Sequence, residues 1–264
     1  MPDYEKHQRK IRALKQDLAA LLLEQHELEF HARKSIEAEY MEKIGSLEHK
    51  ALELHCKTLR LRRKYELIAG AVDSLELIEL SQIDMQLLRE FSAHNERLSE
   101  LMGRMNAALG RRDALSGENA AELRRLYASL LKKLHPDLNP VQNEAAETLF
   151  SRAVSAYRNA ALEELRDIDA AAAGRKELMD APVGSMDRLL KTEERLGERI
   201  GALRESIGKL KNSYPCNKRD LLEDDTKLGE KTALLAGQIA EYRKICGNLE
   251  KRIAELLGRS AWIA

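Results

Sequence analysis

Two long heptad seams constrain the fold more than any other feature of this sequence. Apolar residues recur at alternating three- and four-residue steps over 185–211 and again over 218–258, with Glu193 as a charged exception in the first seam. The seam residues are Met186, Leu189, Leu196, Ile200, Leu203, Ile207 and Leu210, followed by Leu228, Thr232, Leu235, Ile239, Tyr242, Cys246, Leu249, Ile253 and Leu256. Because Pro215 and its neighbours interrupt the pattern, the two seams predict an antiparallel coiled-coil hairpin across 183–258.

The N-terminal part of the chain predicts a second hairpin, over 1–112. Residues 4–69 carry two apolar stripes, from Leu14 to Leu28 and from Leu47 to Ile68, which are out of phase with each other. Such an offset is typical of a stutter within one very long helix. Gly70 predicts a helix stop, and a further apolar pattern over 75–110 predicts a helix that folds back antiparallel on the first.

The composition favours long helices over a thick globular core. Charged residues make up 33% of the chain and aromatic residues only 4%, in a mixture rich in Ala, Glu, Lys, Leu and Arg. We therefore expect an all-α fold in which antiparallel coiled-coil hairpins flank a small helical module. The 44 Lys and Arg residues balance the 44 Asp and Glu residues. A net charge of zero gives no reason to expect nucleic acid or an anionic membrane surface as a partner.

Three further observations bear on location. The chain contains no run of about 18 apolar residues, which a membrane-spanning helix requires. Its first residues show no signal-peptide pattern. The three cysteines are odd in number and widely spaced, which fits a reducing compartment better than a disulfide framework. We expect a cytoplasmic protein.

A basic amphipathic helix that ends at His-Pro-Asp lies between the predicted hairpins. The segment 123–134 places its leucines and Tyr127 on one face, and Arg124, Arg125, Lys132 and Lys133 largely off that face. Pro136 disfavours helical geometry at His135, so the helix should end there. A second amphipathic helix, with Ala146 to Tyr157 on its apolar side, follows after a loop of about ten residues. Two such helices can pack antiparallel and hold 135–137 at the exposed tip.

This segment resembles the J domain of DnaJ-type co-chaperones. The sequence 123–127 is similar to the start of that family's second helix, 133–137 to its end and His-Pro-Asp signature, and 150–157 to its third helix. The resemblance implies a J-domain-like helical module over 113–170 that docks on a DnaK-type chaperone and stimulates its ATP hydrolysis. The implied docking residues are His135, Pro136, Asp137, Arg124, Arg125, Lys132 and Lys133. Asp137 would offer its charge to an arginine of the partner.

The segment also departs from the family pattern. Ser116 to Asn119 stand where the family has a Tyr-Tyr-x-x-Leu-Gly first helix, and Ala128 and Ser129 stand where it usually has basic residues. The Gly/Phe-rich linker and the Cys-x-x-Cys repeats of full DnaJ proteins are absent from the sequence. An alternative therefore stays open: a helical coiled-coil scaffold or interaction protein that keeps a J-like fold without stimulating a chaperone.

Patterns for catalysis or metal binding are missing from the sequence. It has no glycine-rich phosphate loop, no paired catalytic carboxylates and no Ser/His/Asp arrangement. His26 and His31 are five residues apart, which puts them on different faces of a helix, so we reject them as half of a metal site. We expect no enzymatic activity, no cofactor and no metal. The expected partners are a DnaK-type chaperone, a client or scaffold protein of unknown identity, and a second copy of the chain through the coiled coils.

Overall fold

A computed structural model describes residues 2–74, 79–110, 117–140, 143–174 and 185–259. All regular structure in these residues is helical, so the all-α class is confirmed. The α-helices are α1 (Pro2–Glu27), α2 (Arg33–Tyr40), α3 (Ser46–Asp73), α4 (Leu80–Glu90), α5 (Ser92–Leu109), α6 (Gly117–Leu134), α7 (Glu144–Arg158), α8 (Leu162–Ala171), α9 (Met186–Asn212), α10 (Arg219–Glu223) and α11 (Asp225–Arg259). Within the described part of the chain, no helix is both long and apolar enough to cross a membrane.

The first helical run is continuous from Pro2 to Asp73, but it is not α-helical throughout. Two π-helical turns, Leu28–Ala32 and Met41–Gly45, separate α1, α2 and α3. A π turn fits an extra residue into the helix and rotates the apolar stripe that follows. Both turns lie between the two stripes that the sequence shows out of phase, so they account for the predicted stutter.

The predicted return helix over 75–110 is two helices rather than one. Helices α4 and α5 meet at Phe91, whose φ of −104° and ψ of 11° depart from helical values. The first part of the prediction, 75–78, lies outside the described residues. Lys64 contacts Asp84 at 2.8 Å and Arg63 contacts Glu90 at 3.1 Å, so α4 packs beside the C-terminal part of α3.

The chain folds as two units, each assembled from distant segments. The first unit contains Met1–Glu37 and Arg111–Lys218, and the second contains Ala38–Gly110 and Arg219–Ala264. This division differs from the contiguous domains 1–112, 113–170 and 183–258 that the sequence predicts. Each unit contains one part of the helical run Pro2–Asp73 and one of the two long C-terminal helices, which are α9 in the first unit and α11 in the second.

In the first unit, α1 and α9 pack in parallel. The imidazole Nδ1 of His7 lies 2.8 Å from Glu193, and Lys211 lies 2.6 Å from Glu24. Residue numbers therefore rise together along both helices. Glu193, the charged exception in the predicted seam, also pairs with Lys10 of α1. The seam residues Leu189, Leu196, Ile200 and Leu203 are buried in the same core as α6, α7 and α8.

In the second unit, α3 and α11 also pack in parallel. Lys57 lies 2.8 Å from Glu250, and Arg252 donates to the Tyr65 hydroxyl at 2.7 Å. Within the seam, the Thr58 hydroxyl lies 3.2 Å from the thiol of Cys246. Thr58 also donates to the Leu54 carbonyl at 2.8 Å, so the buried hydroxyl is fully hydrogen-bonded.

The predicted antiparallel hairpin over 183–258 is not confirmed. Helix α9 has its main contacts with α1, and α11 has its main contacts with α3. The seam residues from Leu189 to Ile253 are largely buried, as the heptad pattern predicts. The pattern describes a stripe that needs a partner but does not specify which helix supplies it. Here α1 and α3 supply it, because their stripes offer a matching apolar surface.

Candidate functional site

The J-like segment forms a three-helix module. Helices α6, α7 and α8 contact one another, and α7 is capped at its N-terminus by Asn143, whose side chain accepts a hydrogen bond from the Ala146 amide at 3.0 Å. A left-handed Ala160, with φ of 58°, ends α7 and lets α8 return as a separate helix. Leu123, Tyr127, Leu130, Leu131 and Leu134 of α6 are buried, as the amphipathic pattern predicts.

The His-Pro-Asp loop is a tight turn closed by Asn139. The carbonyl of His135 accepts from the amides of Leu138 at 3.1 Å and Asn139 at 2.9 Å. The Asn139 side chain donates to the Lys132 carbonyl at 2.8 Å, which satisfies one of the free carbonyls at the end of α6. Asn139 is only 2% exposed. The loop is therefore held by its own hydrogen bonds and not only by its position between two helices.

His135 lies inside the module, with 7% of its surface exposed. Its ring packs edge-on against Phe150 of α7, with the centroids 5.0 Å apart, and its Nδ1 accepts a hydrogen bond from the Asp137 amide at 3.0 Å. Burial lowers the pKa of His135 to about 4, with a further lowering from His26 and Arg199 that the nearby Asp137 opposes. The imidazole is thus neutral at pH 7 and shapes the loop. The prediction that it is presented outward is wrong.

Asp137 already binds an arginine, from its own chain. Its carboxylate accepts from Nε of Arg199 on α9 at 2.6 Å, and its carbonyl accepts from Arg195 at 3.4 Å. The Asp137 side chain keeps 26% of its surface exposed, and Pro136 is exposed beside it. In this structure the arginine that pairs with Asp137 comes from α9 of the same unit, and pairing with an arginine of a partner stays a prediction.

The predicted basic face is partly engaged within the chain. Arg124 pairs with Glu27 of α1 at 3.0 Å, and Lys133 pairs with Asp169 of α8 at 3.1 Å. Arg125 is exposed and Lys132 is partly buried. The seven predicted docking residues are thus spread along α6 and the loop that follows it, with Arg124 and Arg125 near the start of the helix and Lys132 to Asp137 at its end. The structure also pairs Arg124, Lys133 and Asp137 with oppositely charged neighbours.

An aromatic cluster fixes the module to the first helical run. The ring of Tyr127 stacks on that of Tyr157 with centroids 4.0 Å apart, and its hydroxyl is hydrogen-bonded to His26 Nδ1 at 2.7 Å. His31 packs edge-on against Tyr157 at 4.6 Å, and Phe30 packs against the same ring at 6.5 Å. Phe30 and His31 belong to the first π-helical turn. A π turn therefore aims these two side chains at the module.

The titratable groups of this cluster are held uncharged by burial. Desolvation lowers the pKa of His26 and of His31, and Lys34 lowers that of His31 further. Burial also raises the pKa of Tyr127, and it raises the pKa of Tyr157 to about 12. His26 and His31 thus act as packing residues of the first unit. Among the described residues, no group of three or more His, Cys, Asp or Glu side chains is arranged to hold a metal ion.

Sequence reasoning missed the residues that contact the tripeptide from other elements. Arg195 and Arg199 lie in the heptad pattern of α9 with no unusual feature, and Glu27 lies in a charged stretch of α1. No local pattern indicates that these charges meet Asp137 and Arg124. The aromatic cluster does carry a sequence signal, because Phe30 and His31 lie four and five residues after His26, a spacing that suits a π turn. With regular α-helical spacing, His26 and His31 would lie on different faces.

Comparisons of the chain with protein-family models, with curated proteins and with solved structures found no match. The resemblance to J domains therefore depends on the motif residues themselves and on their arrangement in the module.

Proposed function

We propose that this chain is a J-domain-like co-chaperone that docks on a DnaK-type chaperone through the loop 135–137 and the basic face of α6, and stimulates its ATP hydrolysis. The observation that carries the proposal is the state of Asp137, which accepts a guanidinium hydrogen bond at 2.6 Å while it remains 26% exposed. A carboxylate in this geometry is suited to charge-assisted recognition of an arginine on a partner. The proposal includes the cytoplasmic location expected from the sequence.

The buried residues of the loop support this role by fixing its shape. His135 and Asn139 hold the turn from inside, so Pro136 and Asp137 occupy defined positions at its surface. A preorganised loop loses little conformational entropy when it binds. The module contributes no reacting group in this proposal. Its role is to bind one conformation of the chaperone better than another, which is how a partner shifts a conformational equilibrium.

The test is single-turnover ATP hydrolysis by a DnaK-type chaperone with and without the purified chain. Pro136→Ala and Asp137→Asn change the exposed part of the loop and should lower the stimulation at least tenfold. Pro140→Ala is the matched control, because Pro140 is an exposed proline of the same loop outside the tripeptide. His135→Gln should also abolish stimulation, with circular dichroism as a check that the buried substitution leaves the helices intact. Equal stimulation by the wild type, Pro136→Ala and Asp137→Asn would refute the proposal.

A second candidate function is that of a helical scaffold without a chaperone partner. The observation that favours it is that Asp137, Arg124 and Lys133 all pair inside the chain. A charged substitution at Leu203 or Leu235 of the heptad seams cannot test assembly with a partner, because both side chains are buried within their own units. Met85 and Leu88 of α4 are 55% and 58% exposed and form a better target.

For the scaffold function, the measurement is sedimentation velocity over a range of concentrations. If the chain assembles with further copies through α4, Met85→Glu and Leu88→Glu should shift it toward the monomer, while Gln86→Glu, an exposed position on the same helix, should not. A wild-type chain that stays monomeric at every concentration would count against assembly through this surface.

A further inference from the structure

We infer that α9 is an intramolecular competitor for the docking loop, so that the chain binds its chaperone partner only when Arg199 releases Asp137. This inference rests on the proposed function and names the regulation of the same site. It starts from the contact between Nε of Arg199 and Oδ2 of Asp137, at 2.6 Å. Arg195, one helical turn before Arg199, adds a 3.4 Å contact to the Asp137 carbonyl. Two arginines of one helix face thus occupy both acceptor groups of this residue.

The opposite end of the docking face is covered by a residue of α1. Glu27 places a carboxylate 3.0 Å from the guanidinium of Arg124. Helices α1 and α9 therefore present opposite charges to the module. Glu27 of α1 contacts the basic helix α6, and Arg199 of α9 contacts Asp137. This is the charge pattern that a binding partner of the module would present.

Helices α1 and α9 contact each other as well as the module. Glu193 of α9 contacts His7 at 2.8 Å and also pairs with Lys10, and Lys211 contacts Glu24 at 2.6 Å. The buried leucines of both helices lie in the core that includes α6. The position of Arg199 is consequently set by the fold of the whole unit and not by a flexible side chain alone.

The contacts that cover the loop are weak enough to be displaced. The side chain of Arg199 is 47% exposed and that of Arg124 is 56% exposed, so water and salt screen both pairs. Exposed pairs of this kind change an equilibrium by about fivefold at most. Arg199 therefore lowers the affinity of the loop for a partner by an amount that partner binding can overcome. It does not block the loop permanently.

The experiment compares binding of the full-length chain to a DnaK-type chaperone in the ATP state. Arg199→Gln should lower the Kd about threefold to fivefold, and Arg195→Gln with Arg199→Gln by a little more. Arg204→Gln is the matched control, since Arg204 is an exposed arginine of the same helix that lies beyond this contact. Asp137→Asn should bind poorly with or without the arginine substitutions. Amide exchange at 137–139 should accelerate in Arg199→Gln and not in Arg204→Gln.

The outcomes separate the two proposals. If Arg199→Gln binds like Arg204→Gln while Asp137→Asn loses binding, docking is correct and the competitor role of α9 is wrong. If Arg199→Gln weakens binding, Arg199 itself helps the partner, which also overturns the inference. If no variant binds the chaperone or stimulates its ATP hydrolysis, the docking function is wrong and the regulation proposed for it is wrong with it.

Discussion

Acidification from pH 7.5 to pH 5.0 should destabilise the first unit through His135. The side chain is 7% exposed, and burial lowers its pKa from 6.5 to about 4. Its Nδ1 already accepts the Asp137 amide at 3.0 Å, so a proton on that nitrogen would break the hydrogen bond that shapes the loop. The folded state therefore resists protonation of an imidazole that the unfolded chain protonates readily.

The sign and size follow from proton linkage. Well above pH 6.5 the imidazole is neutral in both states, and the unit has the full contribution of this residue. Between pH 6.5 and about 4 the unfolded state binds the extra proton, so stability falls as the pH falls. The difference in pKa corresponds to about 3 kcal/mol once the pH is below both values, and to about 2 kcal/mol at pH 5.0. The lowered pKa values of His26 and His31 add losses of the same sign.

The assay is urea unfolding at both pH values, combined with an NMR titration of the imidazoles. His135→Asn removes the titrating ring and keeps an oxygen near the position of Nδ1, so this variant should lose about 2 kcal/mol less than the wild type on acidification. His49→Asn controls for the removal of an imidazole from a partly exposed position and should still lose stability, because His135 is intact. Equal losses in the wild type and His135→Asn would refute this reasoning.

Three substitutions test the packing described above. Tyr127→Phe removes the hydrogen bond to His26 and leaves a partly buried ring nitrogen without its partner, so urea unfolding should show a loss of about 1–3 kcal/mol. Leu130→Ala should cost about 2–5 kcal/mol in the same measurement, because Leu130 is fully buried and its neighbours cannot close the cavity completely; a loss under about 1 kcal/mol would contradict this packing. Thr58→Val should lower the thermal midpoint of the second unit by a few degrees, since the buried hydroxyl contacts both Cys246 and the Leu54 carbonyl. An unchanged midpoint would mean that this polar contact contributes nothing to the α3–α11 seam.

Local sequence patterns predict the all-α class and the buried faces of several helices. Heptad spacing predicts which residues of α9 and α11 are buried, and the amphipathic pattern predicts the buried face of α6. Pro136 predicts where α6 ends. These features depend on helical periodicity and on backbone sterics, and both act over a few residues.

The tertiary structure decided which surfaces meet. A heptad stripe is equally satisfied by many partners, so the pairing of α9 with α1 and of α11 with α3 cannot be read from any one segment. The same holds for the loop. The sequence places His135, Pro136 and Asp137 at a helix end, but only the packing of other helices buries His135 against Phe150 and brings Arg199, 62 residues further along the chain, to Asp137. Short-range sterics define the elements, whereas burial and charge pairing between distant segments define the site.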